Sequence, residues 1–427
     1  MERNDPRYQA YVEILKEELI PAMGCTEPIA LAYAAAKARE VLGVLPDSVQ
    51  LQVSGSIIKN VKSVIVPNTG HLKGMEAAVA AGIIAGSAEK ELEVISEVSE
   101  EKKSAIRDYL QTVPITIEHT EQGHVFDIVV TERCGQDYAR VRIADYHTNI
   151  CRIEKNGTVL YEVPLLDETV QEDARADRSL LNMQDIWDFA ETADLRDVAD
   201  LLERQIRYNN AIAEEGLLGD YGANIGRVLL TTYGNDVSNR AKAKAAAGSD
   251  ARMNGCELPV IINSGSGNQG ITASVPVVVY AEELGVSRET LYRALAVSNL
   301  STIHIKAHIG TLSAYCGAVS AGCGAGAGIT YLYGGGYEQI KHTLVNAMAI
   351  TSGIICDGAK PSCAAKIATS VDAGLLGYHM YRCGNQFYAG DGIVKSGIEH
   401  TIETVGALAH TGMADTDRQI IRLMMEP

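Results

Sequence analysis

The sequence has few aromatic residues and no excess of positive charge. Only 5% of its 427 residues are aromatic, with one Trp and three Phe. Lys and Arg number 37 against 54 Asp and Glu, so the net charge is −17. A chain this acidic repels phosphate backbones, which disfavours nucleic acid as a partner. Hydrophobic and charged contents of 46% and 21% are typical of globular domains and exclude whole-chain disorder.

The sequence also lacks the apolar core of a signal peptide. Its first residues, MERNDPRYQAYVEILKEEL, mix acidic and basic side chains, so we expect a cytoplasmic protein. The segment 307–337 has no Asp, Glu, Lys or Arg and is long enough to span a bilayer. It is rich in Gly, Ala, Ser and Thr and poor in the residues that drive insertion. We interpret it as a tightly packed buried helix and expect no membrane association.

The segment patterns predict two domains. Helical periodicity spans 6–42, with a bend at Gly24 and Cys25, and recurs at 71–88 and 93–111. Strand-like segments rich in Val and Ile are 48–66, 124–131 and, more loosely, 137–163. The acidic segment 166–180 is predicted to be a surface linker, and the chain beyond it is almost entirely helical in pattern. We predict an α+β domain with a mixed or antiparallel sheet over 1–170, followed by an all-α domain over 171–427.

Nine cysteines in a chain without a secretion signal indicate reduced thiols rather than a disulfide framework. Cys356 and Cys363 lie in IICDGAKPSCAAK, where Gly358 and Pro361 predict a helix, a tight loop and a second helix. Ser362 is expected to cap the second helix. Cys363 then lies in its first turn, where the helix dipole favours a thiolate.

Cys316 lies 40 residues before Cys356, on a segment predicted to be a packed helix. Three thiolates suit zinc or an iron–sulfur cluster. The spacing is not a C-x-x-C signature, and spacing alone favours the alternative that these thiols are small buried hydrophobes. Cys323 follows Cys316 by seven residues on the same helical face, and we leave it structural.

Cys25 is predicted to lie at the start of a helix in MGCTEPIALAYAAA. Cys25 or Thr26 occupies the cap, while Glu27 and Pro28 suit the first turn. A thiol in that position is expected to have a lowered pKa and to act as a base or nucleophile. The alternative is a structural cysteine at a bend.

The segment 263–270, NSGSGNQG, precedes an apolar helix and offers an anion site for a carboxylate or phosphate. It is neither a Walker A loop nor a dinucleotide fingerprint, and the alternative is an ordinary glycine-rich turn. Further donors for a carboxylate or amine are Lys59-Asn60, His147-Thr148-Asn149 and the SDAR segment 249–252. No HExxH motif is present, so a hydrolytic zinc site is not indicated.

These motifs together resemble the L-cysteine desulfidase family, which is related to the iron–sulfur L-serine dehydratases. They are GCTEP, KN, HTN, SDARM, NSGSGNQGITA and CDGAKPSC, in this order along the chain. The resemblance implies a site between the two domains, with one 4Fe-4S cluster per chain held by Cys316, Cys356 and Cys363. It also implies that Cys25 is the catalytic base. The substrate-binding candidates are Thr26, Lys59, Asn60, His147, Thr148, Asn149, Arg252, Ser264, Ser266, Gly267, Asn268 and Gln269.

The activity implied by the resemblance is β-elimination of L-cysteine to hydrogen sulfide, pyruvate and ammonia. Two alternatives stay open: an iron–sulfur L-serine or L-threonine dehydratase, and a non-catalytic amino-acid-binding or redox-sensing cluster protein. A pyridoxal-phosphate enzyme would need a Schiff-base lysine in a recognisable motif, which the sequence does not offer. No sequence segment indicates a subunit interface, although two domains that meet at a site are compatible with a homo-oligomer.

Overall fold

The computed structural model describes residues 1–120, 124–165, 176–310 and 312–426. The helices are α1 (Pro6–Glu18), α2 (Thr26–Leu42), α3 (Gly55–Val61), α4 (Gly74–Ala85), α5 (Glu100–Thr112), α6 (Met183–Thr192), α7 (Ala199–Leu218), α8 (Ile225–Tyr233), α9 (Val237–Met253), α10 (Gly267–Leu284), α11 (Arg288–Ile309), α12 (Gly317–Leu332), α13 (Tyr337–Thr351), α14 (Ser362–Arg382), α15 (Ile398–Ala407) and α16 (Ala414–Met425). The strands are β1 (Pro21–Met23), β2 (Ser48–Val53), β3 (Ile115–His119), β4 (Asp127–Cys134), β5 (Asp137–Ala144), β6 (Ile150–Lys155), β7 (Thr158–Glu162) and β8 (Pro259–Ile261).

Six strands form a mixed sheet in the order β3-β2-β4-β5-β6-β7. The β2–β3 pair is parallel and the remaining pairs are antiparallel. Helix α2 packs against this sheet and against α4. A mixed sheet in the N-terminal part and mostly helical structure beyond it confirm the predicted fold class.

The structure differs from the sequence-based expectations in three places. The strand predicted over 48–66 ends at Val53, and the chain continues as α3, whose residues are all buried and therefore carry no amphipathic period. Strand β3, which pairs in parallel with β2, was not predicted. The C-terminal part is not entirely helical, because β8 pairs antiparallel with β1 across the two halves of the chain. A three-residue strand is too short for an alternating pattern.

The helical part packs through small residues. A Cβ at Gly326 of α12 would lie 2.8 Å from the Cα of Gly374 on α14, so only glycine permits this approach. The uncharged segment 307–337 is not one helix, because α11 ends before Gly310 and α12 starts at Gly317. Within the described ranges, no helix is both long and apolar enough to cross a bilayer.

The predicted domain boundary stays a prediction. Residues 166–175 of the proposed linker lie outside the described residues. Helix α1 packs toward the helical part, since the rings of Tyr8 and Tyr11 lie 5.3 and 5.6 Å from that of Phe189. Helix α16, at the other end, packs on α3. Both ends of the chain therefore pack across the boundary between the sheet half and the helical half. These contacts hold the two halves together.

Candidate active site

A cavity of about 110 Å³ lies where the two halves of the chain meet. Its walls come from the start of α2, from α3, from the β5–β6 loop, from the end of α9 and from the loops before α10, α12 and α14. Twelve predicted site residues line it: Cys25, Lys59, Asn60, His147, Arg252, Ser264, Ser266, Asn268, Gln269, Cys316, Cys356 and Cys363. Segments more than 300 residues apart along the chain thus share one small space.

A backbone bridge holds Cys316 and Cys356 side by side. The Cys316 N–H donates to Ile354 O at 3.0 Å, and the Cys356 N–H donates to Ala314 O at 2.6 Å. Cys316 is the N-cap of α12 rather than a residue within a helix, which corrects the prediction for it. The chain was expected to be helical there because no charged residue marks the end of α11 at Ile309 or the start of α12 at Gly317.

Cys363 lies in the first turn of α14, as predicted, but Ser362 does not cap that helix. Ser362 is its first residue, and Pro361 occupies the N-cap without a side-chain hydrogen bond. Burial raises the pKa of the Cys363 thiol, so the expected dipole-stabilised thiolate is not found. Burial and the neighbouring Cys356 likewise raise the pKa of Cys316 to about 12. Cys316 is buried and Cys356 and Cys363 are half-buried. A metal would replace the protons of such thiols when it binds.

The three thiols are soft donors of the kind that hold iron–sulfur clusters. Among the described residues, no group of three or more His, Cys, Asp or Glu side chains converges as it would on one metal ion. Cys316, Cys356 and Cys363 all line the same cavity. In an iron–sulfur cluster each thiolate binds a different iron, so the ligands need to surround a space rather than meet at a point.

Cys25 is the N-cap residue of α2, as predicted, but its ionisation is the opposite of the prediction. Burial raises the pKa of the Cys25 thiol well above its usual value, and the charge of Glu27 raises it further. Cys25 Sγ–H donates to Glu27 Oε2 at 3.2 Å. Removal from water outweighs the favourable helix terminus. The resting group is therefore a thiol hydrogen-bonded to a carboxylate.

Arg252 is a buried cation without a complete set of partners. It is 2% exposed, and its Nε and Nη2 have no hydrogen-bond partner among the described residues. A Cβ at Gly267 would lie 2.2 Å from Arg252 Nε, so glycine is required where α10 begins beside the guanidinium. Asn268 Oδ1 is also buried and unpartnered within the described ranges. The site therefore offers donors and an acceptor that a small zwitterion would satisfy.

A family model described as the serine dehydratase alpha chain matches residues 89–422. The chain belongs to the serine dehydratase alpha chain family. Its relatives include a UPF0597 protein of Desulfitobacterium hafniense, 60% identical over 425 residues that cover 100% of this chain and 98% of the relative. A UPF0597 protein of Lachnoclostridium phytofermentans is 52% identical, with 98% and 100% covered. One of Treponema denticola is 46% identical, with both chains fully covered.

The family match includes the three thiols and Arg252, whereas Cys25 and Lys59 precede it and lie within the full-length similarity to the UPF0597 relatives. The resemblance read from the sequence motifs is thus confirmed at the level of the family. The roles of the individual residues stay predictions.

Four predicted site residues do not line the cavity of this serine dehydratase-family chain. Asn149 Nδ2 donates to Ala144 O at 2.9 Å, and Thr26 Oγ1 donates to Gly265 O at 3.0 Å. Gly267 acts through the space it leaves for Arg252. Thr148 is the fourth. Lys59 does line the cavity, but its Nζ lies 2.5 Å from Asp417 Oδ1 on α16.

Sequence reasoning missed one acidic and one basic residue in the cavity, Glu27 and Lys306. Glu27 was assigned only to the first turn of a helix. Lys306 donates to Gly310 O, and burial lowers its pKa to about 8. A single lysine within the mostly uncharged second half of α11 was the available signal for it.

Proposed function

We propose that this chain is a lyase that eliminates sulfide from L-cysteine with a 4Fe-4S cluster, giving hydrogen sulfide, pyruvate and ammonia. Membership of the serine dehydratase family suggests a lyase. The observation that carries the proposal is that one cavity is lined by Cys25, by three further thiols and by a guanidinium with two nitrogens that lack partners among the described residues. The cavity is small, well below the roughly 300–1,000 Å³ of sites for drug-sized ligands, and so suits a small metabolite.

Cys316, Cys356 and Cys363 would hold the cluster through their thiolates. Three protein ligands for four irons would leave one iron free to act as a Lewis acid near the substrate. The chain's contribution here is to bring these three thiols into one cavity.

Arg252 and the start of α10 would bind the backbone groups of the amino acid. The two unpartnered guanidinium nitrogens of Arg252 match the two oxygens of a carboxylate. The first N–H groups of α10 add a positive dipole end beside it. Asn268 Oδ1 is an acceptor that the substrate ammonium would satisfy. The substrate is then held by both ends with its Cα toward the middle of the cavity.

Cys25 would remove the Cα proton. As a thiolate, Sγ forms an S–H bond while the Cα–H bond breaks, and the electron pair expels the β-sulfur as sulfide. The resulting aminoacrylate tautomerises and hydrolyses to pyruvate and ammonia. A thiol whose pKa is raised by burial is a stronger base once it is ionised, which suits a weakly acidic Cα–H.

The second candidate is elimination of water from L-serine or L-threonine, which the description of the matching family favours. The two reactions share the proton abstraction and differ in the group that leaves the β-carbon. Release of sulfide and pyruvate from L-cysteine, compared with pyruvate or 2-oxobutyrate from the hydroxy amino acids, decides between them.

The test is chemical analysis of protein purified without oxygen, combined with product assays. We expect about four irons and four acid-labile sulfides per chain. Cys25→Ala should keep its iron but lose turnover, and Cys356→Ala should lose both. Cys323→Ser, a matched change of a buried thiol outside the cavity wall, should keep both. Little iron after anaerobic reconstitution would refute the proposal, and cysteine binding without products would favour a binding protein.

A further inference from the structure

Glu27 is a buried carboxylate beside Cys25, and it has no role in the proposed elimination. Its Oε2 accepts from Cys25 Sγ at 3.2 Å and from Thr26 Oγ1 at 3.1 Å. Its Oε1 accepts from Asn60 Nδ2 at 3.2 Å and lies 3.9 Å from His147 Nε2. One carboxylate therefore contacts the proposed base on one oxygen and faces an imidazole on the other.

The imidazole of His147 faces Glu27, and one of its ring nitrogens is available for a hydrogen bond. Its Nε2 is buried and has no hydrogen-bond partner among the described residues. The ring packs edge-on against Phe126, with centroids 4.7 Å apart. A Cβ at Gly265 would lie 3.2 Å from His147 Cε1, so the loop before α10 also limits the position of the ring. Hydrogen bonds used in catalysis are often long without substrate, so 3.9 Å permits transfer after a small approach.

The elimination needs an exit for the proton. Cys25 gains a proton in each turnover and must lose it before the next. Burial alone would raise the pKa of Glu27, but the facing His147 and the Cys25 thiol lower it to about 2. Glu27 is thus an anion that accepts from the thiol, and it is too weak a base to keep the proton. An imidazole is in general a stronger base than a carboxylate, and His147 Nε2 faces the other oxygen of Glu27.

We propose that Cys25, Glu27 and His147 form one proton-transfer chain, in which Glu27 passes the proton from Cys25 Sγ to His147 Nε2. The S–H bond breaks at Cys25 and an N–H bond forms at His147, which then gives the proton to the departing hydrosulfide or to water, while Glu27 has the same charge before and after. This inference rests on the proposed function, because the proton comes from the substrate Cα. Cys25 is the catalytic residue, and Glu27 and His147 are positioning residues that act through it.

The first test is a double-mutant cycle on kcat for sulfide release. Glu27→Gln and His147→Gln should each lower kcat by about 10²-fold or more, since general acid–base steps contribute on that scale. The double variant should lose little more than either single variant, because residues that act as a unit are non-additive. Glu27→Asp, which keeps the carboxylate, should recover part of the rate.

The second test measures the ionisation of Cys25. The measured quantity is the extent of iodoacetamide labelling of the peptide that contains Cys25, as a function of pH. The charged groups that act on Cys25 are Glu27, which raises its pKa, and Arg252, which lowers it. In the Glu27→Gln variant, Cys25 should therefore be labelled at lower pH than in the wild type, while kcat for sulfide release is lower. Glu132→Gln, at a buried carboxyl on β4 outside the cavity, should change neither quantity. A residue needed only for folding would not produce this opposite pair of effects.

The outcomes separate the two proposals. A wild type that releases neither sulfide nor pyruvate refutes the proposed function and removes the proton that the chain would carry. The proton-transfer chain is overturned if the wild type is active and the kcat of Glu27→Gln stays within about threefold of the wild-type value. It is also overturned if the losses in the double-mutant cycle are additive. In both cases the proposed elimination is unaffected. An unchanged labelling profile in Glu27→Gln also overturns the proton-transfer chain.

Discussion

Replacing Arg252 with Met should separate a binding role from a structural one. The Arg252 side chain is buried, and two of its nitrogens have no hydrogen-bond partner among the described residues. If these nitrogens bind the substrate carboxylate, losing them removes one partner of a buried charge pair, which costs about 2–5 kcal/mol. At about 1.4 kcal/mol per tenfold, kcat/KM for L-cysteine should fall by roughly 30- to 5,000-fold.

The Tm of Arg252→Met should rise or stay unchanged, although its kcat/KM falls. A buried charge without a full set of partners destabilises the folded state, so an apolar side chain of similar length should keep or raise Tm. The matched control is Arg178→Met, because Arg178 Nη2 lies 2.9 Å from Glu17 Oε2 and the residue does not line the cavity. That control should lower Tm and leave kcat/KM unchanged.

The assay is sulfide and pyruvate release by iron-replete protein, with Tm measured in parallel. Cysteamine, which lacks the carboxylate, serves as a competitive inhibitor. Its inhibition constant should be the same for wild type and Arg252→Met if the lost contact is the one to the carboxylate. A carboxylate-binding role for Arg252 is refuted if kcat/KM stays within about threefold of the wild type, or if Tm falls as it does in the Arg178 control.

Three further predictions concern the pH profile, the cluster loop and the C-terminal helix. Because burial raises the pKa of Cys25, kcat/KM should rise with pH from 6 to 8, about tenfold per unit; a flat profile contradicts a Cys25 thiolate. Gly358→Ala should destabilise by at least about 1–3 kcal/mol in denaturant titrations, since φ is +90° and the Cβ would lie 2.1 Å from Lys59 O. Gly353→Ala, with φ +115° but open space around it, should cost less. Asp417→Asn should lower stability by about 2–5 kcal/mol, because it leaves the buried Lys59 ammonium unpaired; an unchanged Tm would contradict this.

The sequence by itself determined the features that depend on neighbouring residues. Cys25 at the start of α2 and Cys363 in the first turn of α14 follow from the glycine and proline residues that interrupt the helical pattern before them. The glycine- and alanine-rich composition of α12 indicated close packing, and the packing of Gly326 on α14 agrees with it. The order of the motifs was sufficient to identify the family, because each motif is a short contiguous segment.

Only the tertiary structure decided the properties that depend on what packs against a residue from elsewhere. Strands β1 and β8 pair across the chain, and Lys59 meets Asp417 from 358 residues away. Glu27, part of an ordinary helix start in the sequence, becomes the carboxylate between Cys25 and His147. The predicted fall in the pKa of Cys25 became a rise for the same reason. A helix terminus is a local feature, whereas the burial that outweighs it is produced by the whole fold.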